Sequence, residues 1–192
     1  MNNLKLYFPL KPYIKTQGFG ENLIPLYKEL GLLGHPGIDC HATHGQPLYA
    51  SHDGEVVNAG IPDGKEGYGV VLRTLESFDY GGEQVRFKSI YWHMIKEIPV
   101  HSGQIVKAGD LIGYADNTGA STGDHLHWAL KPQKQGEADW QWFNLEQQNG
   151  FNGCIDLEPY FNNQYAQDIP IMLKIIDLLS KVVALLKKQL GL

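Results

Sequence analysis

No Cys-x-x-Cys pair occurs in this chain, which excludes a thiolate zinc ribbon and a thioredoxin-like redox motif. The two cysteines present, Cys40 and Cys154, lie far apart, and their spacing leaves open two free thiols or one disulfide. Charge is sparse, at 19% of residues, and the net charge of -5 argues against a general nucleic-acid binder, so no nucleic-acid partner is expected. The N-terminal stretch has no apolar run long enough for a signal peptide. The expectation is therefore a protein made in the cytoplasm and delivered by other means. Internal repeats and low-complexity tracts are missing too, which removes solenoids and disordered tails.

Glycine and proline are plentiful, at 22 and 10 residues, and favour short strands joined by turns over long helices. With 192 residues and 43% hydrophobic content, one substantial core plus extensions is expected. The pattern predicts strands near residues 46–50, 54–59, 69–74, 85–92, 105–106, 110–115 and 125–130, with hairpin loops at 61–68 and 76–83. A short helix is expected within 22–30. The expected architecture is mainly β, an antiparallel sandwich or open barrel over 34–165, with residues 1–33 as an extension packed on it. The segment 103–110, Gly-Gln-Ile-Val-Lys-Ala-Gly-Asp, reads as scaffold, a turn-and-strand unit of many β domains.

Two segments after residue 130 stand apart. Trp140, Trp142, Phe143, Phe151, Tyr160 and Phe161 read as a loop packed on the sandwich by its aromatics. Residues 166–192 read as an amphipathic helix whose Lys174, Asp177, Lys181 and Lys188 share one narrow stripe. From Pro170 onward the charge is +3, leaving -8 for everything before it. Its uncharged runs are far too short to span a bilayer. Three readings stay open for it: self-association, an interfacial helix on an anionic membrane, or docking on its own domain.

The chemistry concentrates in histidine. In a strand, alternate side chains share a face, so His125-Leu-His127 would aim two imidazoles into one space and turn Leu126 into the core. Neutral ring nitrogens of this kind suit zinc. Upstream, His35 and Asp39 are four apart, but Pro36 and Gly37 argue against a helix and for a loop running into a strand. Alone, that pair reads as loop polar groups making turn hydrogen bonds.

His35-x-x-x-Asp39, Tyr91-Trp-His93 and His125-x-His127 occur in this order, separated by short strands and glycine turns. Together with Asn117-Thr-Gly-Ala-Ser-Thr-Gly123 they resemble the lysostaphin-type (LytM-like) zinc endopeptidases, over residues 34–130. Members of that family cut peptidoglycan cross-links. The resemblance implies a groove holding one zinc, with His35, Asp39 and His127 as its ligands and a fourth position left for water. It implies His93 and His125 as the non-ligand pair that takes a proton from the activated water and stabilises the oxyanion or leaving amine, their division of labour undecided. Tyr91, Asn117 and Thr122 are the expected substrate contacts. The expected partner is a stem or cross-bridge peptide of bacterial peptidoglycan, containing glycine or D-amino acids. A phage lysin or virion-associated enzyme would suit the delivery.

Departures from the family pattern spare every ligand. Cys40 stands where an aliphatic or aromatic residue is usual and reads as a small core hydrophobe. Asp124 replaces a common proline and Ala129 a common acid. His41, His44, His52 and His101 read as exposed loop histidines. The rival function is a non-catalytic wall-binding or regulatory scaffold of the same fold, which predicts a broken ligand set; here the set is whole.

Overall fold

The computed structural model describes residues 3–60, 67–138 and 141–190. The expected loop at 61–68 and Trp140 therefore lie largely or wholly outside the described residues. Thirteen short strands are present: β1 (Leu6–Phe8), β2 (Lys15–Gln17), β3 (Ile38–His41), β4 (Pro47–Tyr49), β5 (Gly54–Ala59), β6 (Tyr68–Thr74), β7 (Phe78–Tyr80), β8 (Glu83–Met94), β9 (Ile105–Val106), β10 (Leu111–Tyr114), β11 (His125–Gln135), β12 (Trp142–Asn144) and β13 (Phe161–Tyr165). Among the described residues two α-helices accompany them, α1 (Leu26–Glu29) and α2 (Ile169–Leu190), with 3-10 turns at Glu158–Tyr160 and Ala166–Asp168.

One antiparallel sheet dominates, with strand order β2-β3-β11-β8-β6-β5-β9; β12 pairs with β11 and β7 with β8. Two smaller pairs, antiparallel β10-β4 and parallel β1-β13, lie outside it, and no barrel closes. The central strands β11 and β8 obey the period of two. Leu126, Trp128 and Leu130 of β11 and Val85, Phe87 and Tyr91 of β8 turn to one face and are buried in the main core. His125, His127, Ala129 and Lys131, with Lys88, Ile90 and Trp92 across the strand pair, take the other face. That second face carries the chemistry.

Strands β5 and β9 match the expected bounds, and β4, β6 and β10 differ from them at one or both ends by single residues. β8 and β11 run longer than expected. Lys131 and Pro132 look like a strand end, yet Lys131 is buried and its ammonium donates to the Asn152 carbonyl, so pairing with β8 continues to Gln133. The expected loop at 76–83 contains β7, closed onto β8 by Gly81 and Gly82, both at positive φ (61° and 86°), as a primed two-residue turn demands. The five short strands β1, β2, β7, β12 and β13 carry little hydrophobic alternation. They exist because a neighbour supplies the hydrogen bonds, a tertiary effect that overrides local preference.

The N-terminal stretch contributes Leu4, Leu6 and Leu10 to the core and β2 to the sheet edge. Of the late aromatics, Phe161 stacks on Trp128 with ring centroids 5.3 Å apart, and Phe151 packs on Phe19 at 4.7 Å. Phe143 is exposed. Both cysteines are free thiols: Cys40 is fully buried in the main core, while Cys154 is buried in the smaller cluster with Ile90 and Ala129. They serve different layers and do not pair.

Candidate active site

Register assembles the site. β3 lies antiparallel to β11 with Asp39 directly opposite His127 and Cys40 opposite Leu126, so the core residue and the polar residue alternate on both strands. The turn before β3 brings His35 to the same point. His35 Nε2 lies 2.9 Å from His127 Nδ1 and 3.1 Å from Asp39 Oδ1, and His127 Nδ1 lies 3.1 Å from Asp39 Oδ1. Gly37 makes the approach feasible, since a Cβ there would sit 2.8 Å from His127 Cε1 and 2.7 Å from the Trp128 carbonyl. Trp92, opposite His127 on β8, stacks on the His127 ring at 5.6 Å. Tyr27 of α1 packs on the His35 ring at 5.6 Å, its hydroxyl bonded to Gln17.

His35 is 3% exposed and His127 7% exposed, so neither nitrogen is freely hydrated. Burial alone would raise the pKa of Asp39. Hydrogen bonds and charge from His127 and His35 outweigh it, holding the carboxyl well below the ordinary range, so Asp39 is ionised. Burial lowers the pKa of His127, against the opposing pull of Asp39, and so favours the neutral ring. His35 Nδ1–H donates to the Gly18 carbonyl at 3.3 Å, which leaves Nε2 as its lone-pair nitrogen. Two imidazole nitrogens and a carboxylate oxygen thus converge within 3.1 Å of one another. A cation satisfies all three at once. Ligands of a tetrahedral zinc at bonds of about 2.0–2.1 Å stand roughly 3.3 Å apart, close to the separations found.

His93 and His125 flank this triad without joining it. Their ring centroids are 4.4 Å apart, and His93 is 6.1 Å from His127. His93 sits at φ 63°, a left-handed conformation rare for a bulky residue. Its carbonyl accepts the Asp116 N–H at 2.7 Å, and its Nδ1–H donates to the Thr118 carbonyl at 2.7 Å. Burial pushes its pKa down to about 4, only partly opposed by that backbone bond. His125 Nδ1–H donates to the Gly123 carbonyl at 2.8 Å with Ser121 Oγ 3.1 Å away, and its Nε2 lies 3.7 Å from Asp39 Oδ1. In both residues Nδ1 is committed to a carbonyl of the 117–124 loop and Nε2 is the basic nitrogen.

The five metal and catalytic positions expected from sequence therefore come together. Asn117 and Thr122 stand exposed on the loop that holds the two histidines. Tyr91 requires correction. It pairs with Trp128 on the core side of the sheet, is fully buried, and its hydroxyl is bound by Ser51 and Ser89, so it cannot touch substrate. His52 is also not an exposed loop residue: it is 4% exposed, with Nε2 at 2.7 Å from Ser89 Oγ. His41, His44 and His101 are exposed, and His44 Nδ1 bonds Asp116 Oδ1 at 2.8 Å. Sequence reasoning missed Gly18, Thr118 and Gly123, which act through backbone carbonyls and leave no side-chain signal. It also missed Trp92, although its place beside His93 was a signal.

A three-donor cluster with two further histidines beside it has the composition of a hydrolytic metal site rather than a structural one, which closes with four protein ligands. The profile of peptidase family M23 matches residues 33–139. An uncharacterized metalloprotease of Haemophilus influenzae is 37% identical over 94 residues, 49% of this chain and 18% of that protein. The DD-carboxypeptidase/endopeptidase Mpg of Neisseria meningitidis is 31% identical over 129 residues, 65% of this chain and 26% of its own length. The catalytic domain of the antimicrobial peptidase lysostaphin from Staphylococcus simulans superposes with a TM-score of 0.56 at 25% identity, over 77% of this chain and 91% of that domain. The chain belongs to peptidase family M23, whose members are zinc metallopeptidases. It spans about a quarter or less of the length of these two curated relatives.

Proposed function

We propose that this chain is a zinc endopeptidase that hydrolyses peptide cross-links of bacterial peptidoglycan. The observation that carries the reading is the pairing of an intact donor triad, His35, Asp39 and His127, with two basic histidines whose rings are 4.4 Å apart. Zinc, when held by those three residues, supplies a Lewis acid, and one carboxylate against a divalent cation leaves net positive charge to polarise a substrate carbonyl. His93 and His125 keep Nε2 free of the loop carbonyls that hold Nδ1: one accepts a proton from the attacking water, and the other gives a proton to the leaving amine or bonds the oxyanion. Trp92 and Tyr27 fix the ligand rings and exclude water from their outer sides. Asn117 and Thr122 lie on an exposed loop whose carbonyls hold both bases, the natural rim for a cross-link peptide.

Delivery belongs to the same proposal. The enzyme acts on the wall after release from the cell that makes it, as a lysin or virion-borne enzyme does. The exposed face of α2 supports a role outside the catalytic domain. Eleven of its apolar side chains are 37–63% exposed, so beyond its first turn the helix packs little on its own domain. Ile175, Leu178, Val182 and Leu185 recur at three- and four-residue steps, with β-branched residues alternating with leucine as in helices that associate. Self-association is accordingly the role proposed for α2. No helix among the described residues is long and apolar enough to cross a membrane.

The test is zinc content together with soluble product from purified peptidoglycan, for wild type and His125→Ala in parallel. One zinc in both and product from wild type alone is the expected result. Zinc in both with product in neither, across walls of several cross-link types, overturns the substrate assignment.

A further inference from the structure

A second feature lies on the sheet face that carries the metal site. The register sets Lys88 of β8 directly opposite Lys131 of β11 on one side and Arg73 of β6 on the other. Three cations thus stand abreast across three adjacent strands. Like charges directly opposite are destabilising in a sheet, and buried lysines are rarely left without a counter-charge. Among the described residues neither lysine has a counter-charge, and Arg73 has only Glu55. Lys131 is 6% exposed, and its ammonium donates to a neutral carbonyl, that of Asn152. Among the described residues Lys88 makes no hydrogen bond or ion pair, and burial together with Lys131 and Arg73 pushes its pKa down to about 8. Arg73 spends one N–H on Glu55 at 3.1 Å, while its Nε is buried with no partner.

Packing accounts for the guanidinium faces but not for Lys88 or the buried Arg73 Nε–H. Trp142 of β12 receives the guanidinium of Arg73 at 4.2 Å and that of Arg86 at 5.3 Å, which draws a fourth cation to the same patch. The chain before Pro170 carries a net charge of -8, so this concentration of positive charge opposes the general balance. Lys131 lies four residues beyond His127 on β11, about 13 Å along the strand. Phe151 and Phe19 pack over Ile90 and Ala129 between the two places. The patch is therefore separate from the groove at the metal.

We propose that Arg73, Lys88 and Lys131 form a binding site for an oxyanion, a carboxylate or a phosphodiester, on the enzyme's macromolecular target. The Arg73 Nε–H and the Lys88 ammonium are unspent donors, and Lys131 adds charge while its own donor is engaged. An anion seated there relieves the mutual repulsion and satisfies the orphan donor in one step. It requires no metal and makes no demand on the catalytic histidines.

The experiment follows the Lys88 side-chain resonance and the melting temperature of the zinc-loaded protein during titration with acetate or dimethyl phosphate, ionic strength being held with chloride. An anion that binds here raises the Lys88 pKa from about 8 towards 10.5 and raises the melting temperature. Response to acetate alone identifies a carboxylate, and response to dimethyl phosphate alone identifies a phosphodiester. Lys88→Met should melt higher than wild type without added anion and lose the anion-dependent rise, while small-peptide hydrolysis stays unchanged. Arg73→Lys, which keeps the charge but removes Nε, should lose most of the rise as well. If neither anion moves Lys88 or the melting temperature beyond the chloride control, the site does not exist. A rise that persists in both variants places the binding elsewhere and equally overturns it.

Discussion

His127 Nδ1 and Asp39 Oδ1 face each other at 3.1 Å from directly opposed positions on β11 and β3. Two paired strands thereby fix two of the proposed ligands, whose geometry depends on backbone hydrogen bonds. Asp39→Asn should keep the fold and the hydrogen-bonded outline but remove the only negative charge from the triad. Metal analysis after dialysis should find zinc lost, and peptide hydrolysis should fall to background. Zinc retained at one per chain would show that Asp39 is not a ligand.

His93→Ala and His125→Ala should retain zinc and lose roughly 10²- to 10⁴-fold in turnover, the usual range for a positioned acid or base. Ser121→Ala should be milder, because Ser121 lies 3.1 Å from His125 Nδ1 while the Gly123 carbonyl already orients the ring at 2.8 Å. A loss in turnover with little change in KM would match a group acting in the transition state. Full turnover in the His93 variant would remove that residue from the chemistry.

Gly37→Ala is a sharper structural test than a ligand deletion. The new methyl would sit 2.8 Å from His127 Cε1 and 2.7 Å from the Trp128 carbonyl, and neither the strand backbone nor the stacked ring can retreat far. The expected outcome is destabilisation of about 1–3 kcal/mol, as for other overpacked sites. Zinc affinity should weaken alongside it, read by competition with a chelating dye. Unchanged affinity would mean that His127 has freedom the packing denies.

The reach of sequence reasoning follows the same physical lines. The expected ligand and base positions were legible because their side chains carry the chemistry, and three of them, Asp39, His125 and His127, are placed by the simple period of two on β3 and β11. Tyr91 misled because adjacency to His93 says nothing of which face a strand residue takes. Its neighbour Trp92, one step along, is the residue at the site. His52 misled because a histidine near glycine resembles a loop residue, whereas its ring is satisfied inside the core by Ser89 and the Asp53 carbonyl. Strand β13, Phe161-Asn-Asn-Gln-Tyr165, has no apolar alternation and forms only because β1, far away in sequence, pairs with it. The carbonyls of Gly18, Thr118 and Gly123 could not be read from sequence, since every residue has one.

Stability of the metal-free protein should fall in acid before carboxylates titrate. Burial holds the His93 pKa near 4, against about 6.5 for a histidine in the unfolded chain. The unfolded chain therefore takes up a proton near pH 6.5 that the folded chain refuses until near pH 4. The stability is present in full above pH 6.5 and is lost as pH falls across that window. His127 and His52, also shifted downward by burial, add in the same direction. Melting temperatures of the chelated protein between pH 7 and pH 4 should show the decline, and His93→Gln should flatten part of it. A curve with no slope there would mean that His93 is not buried as a neutral ring.

Removal of α2 separates its role from that of the catalytic body. Its apolar residues from Ile171 to Leu186 are exposed, and only the first turn lies beside Gly109, so the core gains little from the rest of the helix. A chain ending after Leu173 should therefore bind zinc and melt close to the full-length protein. Sedimentation should show the full-length protein associating and the shortened one monomeric, since a long contiguous apolar face marks an interaction site. Cleavage of soluble wall fragments should be equal for the two proteins. A large drop in melting temperature on truncation would return α2 to the fold, and a monomeric full-length protein would remove self-association as its role.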